Sequence, residues 1–226
     1  MKSKTFLYFI TGCILFFTSY VYSASNSLSD EAMMFAETKG REIIQIFQEQ
    51  DLEKRYRKLD ELIVEYIDID YIAKFVIGKY WRQMTDKQRE DYRIMFERYG
   101  LAFYKTLPLE YAKNFEYDVV GATEEGKFAN VSVNLKVKMG NDWQNISLIF
   151  RLHKPLGKMK VVDVKVAESS LLLSYRSKFY EMIARNDDEI DWFLEDFADL
   201  TLSMEYNLKQ NLLNQQKSLE FSTEKK

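Results

Sequence analysis

VSVNLKVKM, residues 131–139, is the stretch that decides the fold, because apolar and polar side chains alternate along it. The apolar positions are Val131, Val133, Leu135 and Val137, separated by Ser132, Asn134 and Lys136. Successive side chains of a β-strand point to opposite faces of the sheet. The stretch therefore predicts a strand with one buried face and one solvated face.

The same two-residue period appears on both sides of this strand, at 115–119, 146–152 and 162–166. Short segments at 124–126, 140–142 and 155–157, each with a glycine, provide turn signals between the four runs. Four strands joined by such short connections predict an antiparallel meander.

Helical spacing surrounds the strand region. Apolar residues recur three or four positions apart from 29 to about 100, and Thr85 with Gln88 forms a capping box there. Helical spacing returns at 171–183 and at 190–204. We therefore expect an α+β fold, in which helices cover one face of a curved antiparallel sheet of about four strands.

The first residues have the layout of a secretory signal peptide. Lys2 and Lys4 precede an apolar run from 6 to 22, and small residues follow, which predicts a leader of residues 1–23 cut after Ser23. The run is shorter than the ~20 residues of a membrane-spanning helix. The alternative is a lipoprotein cleavage box that ends at Cys13. Two observations count against it: few apolar residues precede the box, and the apolar run continues beyond Cys13. We therefore expect the mature chain to be exported.

Composition limits what the mature chain can be. We expect one domain at 24–207 and a polar tail at 208–226, disordered from Ser218 onward. Cys13 is the only cysteine, so the mature chain has no disulfide and depends on its core. Loss of the two leader lysines changes the formal charge from −3 to −5. Because the mature chain is net negative and has no cluster of Lys and Arg, we do not expect it to bind nucleic acid.

Catalytic chemistry finds little support in the sequence. The chain has one histidine, His153, which we expect at the surface beside a turn, and no Gly-x-Ser-x-Gly elbow accompanies it. No cluster of His and Cys suggests a metal site, and no glycine-rich loop suggests a phosphate cradle. We therefore predict no catalytic residue, no metal, no cofactor and no enzymatic activity.

Two long blocks carry a family resemblance. Residues 68–100 are DIDYIAKFVIGKYWRQMTDKQREDYRIMFERYG, and residues 161–179 are VVDVKVAESSLLLSYRSKF. Both blocks resemble the signatures of the MlaC, or toluene-tolerance, family of periplasmic phospholipid-binding proteins, and the likeness extends over about 33–202. Met159 stands where the family usually has Trp. Glu168-Ser169 replace its Glu-Gly, which leaves the backbone of that turn open.

The resemblance implies a role as a lipid carrier. Members of the family accept a phospholipid from an outer-membrane lipoprotein complex and pass it to an inner-membrane ABC transporter through the transporter's periplasmic lipid-binding ring. This maintains the lipid asymmetry of the outer membrane. We expect a monomer with an apolar cavity between sheet and helices. Two alternatives remain: an enzyme with polar pocket residues, and a non-catalytic adaptor or binding protein for another hydrophobic ligand.

Candidate cavity residues follow from the apolar faces of the predicted elements, although periodicity alone does not distinguish a cavity wall from a filled core. The sheet-side candidates are Ile146, Leu148, Phe150, Val164 and Val166. The helix-side candidates are Phe75, Val76, Tyr80, Trp81, Phe96 and Phe103, with Leu171, Leu172 and Tyr175 closing one end. Arg82 or Arg176 would meet the lipid phosphate, since a guanidinium has suitable geometry; the alternative for each is a surface ion pair.

Overall fold

Helices and a single antiparallel sheet make up the computed structural model, which describes residues 27–106, 115–139 and 142–223. The strands lie in the order β1-β2-β3-β4-β5, so each strand pairs with its neighbours in sequence. This confirms the α+β meander, to which the structure adds a fifth strand of two residues. The elements are α1 (Leu28–Phe47), α2 (Leu52–Tyr66), α3 (Ile69–Ile77), a 3₁₀ helix (Gly78–Arg82), α4 (Asp86–Lys105), β1 (Phe115–Glu125), β2 (Phe128–Met139), β3 (Asp142–His153), a 3₁₀ turn (Pro155–Gly157), β4 (Lys160–Val166), β5 (Ser169–Ser170), α5 (Leu171–Arg185) and α6 (Ile190–Thr223).

The inner face of the sheet is the apolar face predicted from the alternation. Val133 of β2 lies opposite Leu148 of β3, and the polar residues that alternate with them along each strand point to the other face of the sheet. α1 crosses β1 and β2 on this inner face. It can approach closely because small residues face the sheet: a Cβ added to Gly40 would lie 2.4 Å from Cε1 of Tyr117.

A second core lies among α3, α4, α5 and α6, and we call it the aromatic core. It is built from Tyr92, Phe96, Tyr99, Phe179, Phe193 and Phe197. The ring centroids of Phe179 and Phe197 are 4.9 Å apart, in the edge-to-face arrangement that aromatic pairs favour. The Tyr92 hydroxyl donates to the Ala73 carbonyl at 3.0 Å, so the one polar group of the Tyr92 side chain has a hydrogen-bond partner. This region is solidly packed.

The capping box predicted at Thr85 is present. The Gln88 backbone N–H donates to the Thr85 hydroxyl at 3.2 Å, and the Thr85 N–H donates to Oε1 of Gln88 at 2.8 Å. The two bonds satisfy donors that a helix start would otherwise leave unpaired. They define where α4 begins.

The structure gives the backbone of the turn between β4 and β5, which the sequence left open at Glu168-Ser169. Positive φ angles fall one residue earlier, at Ala167 (47°) and Glu168 (70°), and Ser169 already belongs to β5. Two consecutive left-handed residues are typical of the tight hairpin turns that favour glycine. The chain therefore keeps the turn without glycine and carries the associated strain.

The end of the chain is more helical than predicted. We expected helical pattern to stop near Asn207 and disorder from Ser218, but α6 continues to Thr223. Residues 205–223 contain neither glycine nor proline and are rich in Leu, Gln, Lys and Glu, which favour helix. None of the helices in the described ranges has the length and apolarity that a membrane crossing requires.

Candidate functional site

A cavity of about 520 Å³ lies between the inner face of the sheet and the hairpin formed by α1 and α2. Its size falls within the ~300–1,000 Å³ of typical ligand pockets. α1 and α2 form the helical side of the wall, and β1 to β4 form the other side. The lining residues are Phe35, Ala36, Lys39, Gly40, Ile43, Phe47, Leu59, Leu62, Ile63, Tyr66, Ile67, Phe115, Tyr117, Leu135, Val137, Ile146, Leu148, Phe150, Leu152 and Val161.

The wall is almost entirely apolar. Of its described residues, only Lys39, Tyr66 and Tyr117 have polar side-chain atoms. The Tyr117 hydroxyl donates to the Ala36 carbonyl at 3.1 Å, and burial raises its pKa to about 12. That hydroxyl stays protonated near neutral pH. A surface of this kind excludes water and suits hydrocarbon.

Lys39 is the charged group of the wall. Its Nζ lies 2.7 Å from Oε2 of Glu42 and 4.1 Å from the ring centroid of Tyr66. Burial disfavours the charged form, but the hydrogen bonds to Glu42 and Tyr66 outweigh it and raise the pKa of Lys39. The side chain is therefore a cation at neutral pH.

α2 is held over the cavity by polar contacts at its outer side. The Tyr104 hydroxyl lies 2.5 Å from Oδ1 of Asp60, and the Lys105 ammonium lies 2.7 Å from Oδ2 of the same carboxylate. At its end, Ile67 forms a parallel bridge with Val161 of β4. These contacts connect α2 to the rest of the molecule while its apolar face stays toward the cavity.

The structure divides the predicted sheet-side residues into two groups. Ile146, Leu148 and Phe150 line the cavity. Val164 and Val166 pair with Phe150 and Leu148 across the β3–β4 ladder, so they share the same face of the sheet beside the cavity lining.

The predicted helix-side residues lie elsewhere. Val76, Tyr80, Phe96 and Leu172 are buried in the helical region around the aromatic core, and Phe75, Trp81 and Tyr175 pack against it. Phe103 stacks on Tyr99 and meets Tyr175 edge-on, while Leu171 is exposed. None of them lines the cavity. The physical reason is that α4 packs against α6, and α3 against α5, so these apolar faces meet each other rather than the cavity.

The two predicted headgroup arginines are also away from the cavity. Arg176 donates to the Phe75 carbonyl at 2.6 Å and to the Tyr180 hydroxyl at 2.9 Å, so it fastens α5 to the end of α3. The close packing there requires Gly78, since an added Cβ would lie 2.3 Å from the Tyr180 hydroxyl. Arg82 is exposed at the end of the 3₁₀ helix.

Most of the cavity residues that sequence reasoning missed belong to α1 and α2; the others are Ile67 and, in the sheet, Phe115, Tyr117, Leu135, Val137, Leu152 and Val161. Leu59, Leu62, Ile63 and Tyr66 were visible as an apolar stripe, but nothing indicated what the stripe faced. One available signal was the spacing of Ala32, Ala36 and Gly40. Small residues four positions apart indicate the side of a helix that approaches another element closely.

His153 is buried, contrary to our expectation of a surface residue. Its ring lies beside Tyr71 (5.2 Å) and Phe128 (5.9 Å), and Nε2 is 2.7 Å from Oδ2 of Asp68. Asp68 also caps α3 by accepting from the Tyr71 N–H at 3.0 Å. The pair connects the end of β3 to the start of α3, and it lies outside the cavity wall. Among the described residues, no three metal-binding side chains come together.

Comparison with known proteins agrees with the fold and the resemblance. A family model described as MlaC protein matches residues 38–199 of the 226. The chain belongs to the MlaC family. Both resemblance blocks of this MlaC-family chain lie inside the matched range, which confirms the family expected from the sequence.

A solved structure is similar to this MlaC-family chain. It is the phospholipid-binding protein from Ralstonia solanacearum in complex with a phospholipid, with a TM-score of 0.64 and 17% sequence identity. The match covers 77% of this chain and 98% of that one, and it supports the α+β fold. A comparison with the curated proteins finds no match.

Proposed function

We propose that this MlaC-family chain binds a phospholipid by its acyl tails and carries it through the periplasm between the outer membrane and an inner-membrane ABC transporter. The apolar cavity between the α1–α2 hairpin and the sheet is the observation that carries the proposal. Family membership and the phospholipid complex of the similar Ralstonia protein support it.

The physical requirement is a matching of free energies. Transfer of acyl chains from a bilayer to water costs about 0.8 kcal/mol per CH₂, so two chains of about sixteen carbons face more than about 20 kcal/mol. A carrier must offset most of this with apolar contact, or its lipid stays in the membrane. A wall formed by leucine, isoleucine, valine and aromatic side chains provides that contact.

The cavity wall favours binding over catalysis. Its described residues include no carboxylate and no histidine, the side chains that most often carry out acid–base catalysis. A filled-core adaptor is less consistent with an open cavity of this size. A carrier for another hydrophobic ligand would use the same wall, and identification of the bound molecule separates the two.

Cellular location and partners complete the proposal. The predicted signal peptide at 1–23 lies outside the described residues. We propose export to the periplasm, which that prediction and membership of the family support. We propose that a monomer meets the outer-membrane lipoprotein complex and the transporter's periplasmic ring through the surface around the cavity opening. Cross-links to either partner that fall only on the opposite side would contradict this.

Extraction of the purified mature chain with organic solvent, followed by mass spectrometry, tests the function. We expect one phospholipid per protein after expression in a cell that makes phospholipids. A stoichiometric neutral or non-lipid hydrophobic molecule would indicate the alternative ligand. Protein that carries nothing, and takes up nothing from phospholipid vesicles, would overturn the proposal.

A further inference from the structure

Lys39 is the cation in the described part of the cavity wall, and its position suggests a use. Lys39 is the only charged residue among the described residues that line the cavity. We propose that the Lys39 ammonium contacts the phosphate of the bound phospholipid and so sets how deeply the tails enter; this inference rests on the function proposed above.

The surroundings of Lys39 place it where the cavity meets solvent. The Lys39 side chain is 23% exposed, and that of Glu42, its partner at 2.7 Å, is 41% exposed. The ammonium also lies over the face of Tyr66, where α1 and α2 come together. A lipid with its tails between hairpin and sheet can bring its phosphate to this point without burying an unpaired charge, which would be costly.

The chemistry of an ammonium fits a phosphodiester. Lys39 has three N–H donors, one more than its hydrogen bonds to Glu42 and Tyr66 use, and an oxygen of the phosphate can accept the third. Lysine binds phosphate as a compact point charge, and this does not impose one headgroup geometry. A carrier that handles mixed phospholipids needs this tolerance.

Competition between two lipids with identical tails isolates the phosphate contact. Delipidated protein is equilibrated with vesicles containing equal amounts of dioleoylphosphatidylglycerol and dioleoylglycerol, and mass spectrometry gives the ratio of the two lipids extracted from it. Both lipids occupy the same wall, so the ratio is independent of tail burial and of the fraction of folded protein. We expect Lys39→Gln to lower this ratio about twofold to fivefold, the size of a partly exposed charge contact.

Two further variants act as controls. Lys39→Arg keeps the charge and is expected to keep the ratio close to that of the unmodified protein. Lys136→Gln makes the same charge change outside the cavity, where Lys136 pairs with Glu116, and is expected to leave the ratio unchanged.

Each outcome gives a decision. An unchanged ratio in Lys39→Gln overturns the phosphate contact, and it is also the result for an ammonium that binds only free phosphate. An equal drop in Lys136→Gln overturns it as well, because net charge would then explain the effect. Failure of the unmodified protein to take up either lipid would instead contradict the proposed function.

Discussion

Replacement of Phe96 and of Phe150 by alanine removes the same side chain from two different environments. Phe96 is 8% exposed, and its ring centroid lies 5.7 Å from those of Tyr92 and Phe179 in the aromatic core. Phe150 is half-buried and faces the cavity. The sequence predicts both as cavity residues, whereas the structure places only Phe150 in the cavity wall. The two substitutions together test this difference.

The two substitutions should differ in their cost to stability. Phe96→Ala leaves a void in a packed region, and such changes cost about 3–5 kcal/mol in the free energy of unfolding. For a domain of this size that corresponds to a loss of about 6–20 °C in Tm. Phe150 already borders open space, so Phe150→Ala loses only part of its burial, about 1–2 kcal/mol.

Lipid content should change in the opposite order. Thermal unfolding of delipidated protein measures stability without the contribution of a bound ligand, and extraction with mass spectrometry measures phospholipid per folded protein. We expect Phe150→Ala to lose more lipid than Phe96→Ala while remaining the more stable variant. The reverse order in both measurements would refute the separation of cavity from core.

Four further predictions follow from particular contacts. Leu148→Arg puts a charge into the tail cavity and should abolish lipid co-purification with the circular dichroism spectrum retained; a variant that still carries phospholipid would contradict the wall assignment. Arg176→Ala should lower the free energy of unfolding by about 1–3 kcal/mol in a denaturant titration, with lipid content per folded protein unchanged, because it leaves the Phe75 carbonyl without its donor. Glu168→Gly should raise that free energy by about 0.5–1 kcal/mol, since glycine adopts positive φ without strain. Hydrogen bonds from Lys54 and Lys58 lower the pKa of Glu49 to about 2, below its usual 4.5. The contribution of Glu49 to the stability of the folded state is therefore present above pH 4.5 and is lost as the pH falls toward 2. The Tm difference between the unmodified protein and Glu49→Gln should accordingly be smaller at pH 3 than at pH 7.

Local rules predicted the elements well, because their causes are local. The alternation along β2 follows from the pleat of a strand, and the capping box at Thr85 follows from the donors that a helix start leaves unpaired. The prediction for the end of α6 is wrong for an equally local reason. Polar composition suggests disorder there, although residues 205–223 have good helix formers and no breaker.

Only part of the cavity wall could be predicted, because a buried apolar pattern does not show which element the residue faces. Leu148 and Phe96 show the same apolar periodicity, yet one faces a cavity and the other a packed core. The difference depends on which helices cross the sheet, and contacts between distant residues decide that. The bonds from Tyr104 and Lys105 to Asp60, 44 and 45 residues apart in sequence, fix α2 to the end of α4. No local pattern contains that information.

A phospholipid with a photoreactive group near the end of one acyl chain reports where the tail lies in the complex. After irradiation of the complex, peptide mass spectrometry identifies the labelled residues. If the tails lie between the α1–α2 hairpin and the sheet, adducts form on α2 and β3, at positions such as Leu62, Ile63, Ile146 and Leu148. Adducts confined to the aromatic core, around Phe179 and Phe193, would contradict this placement of the tails.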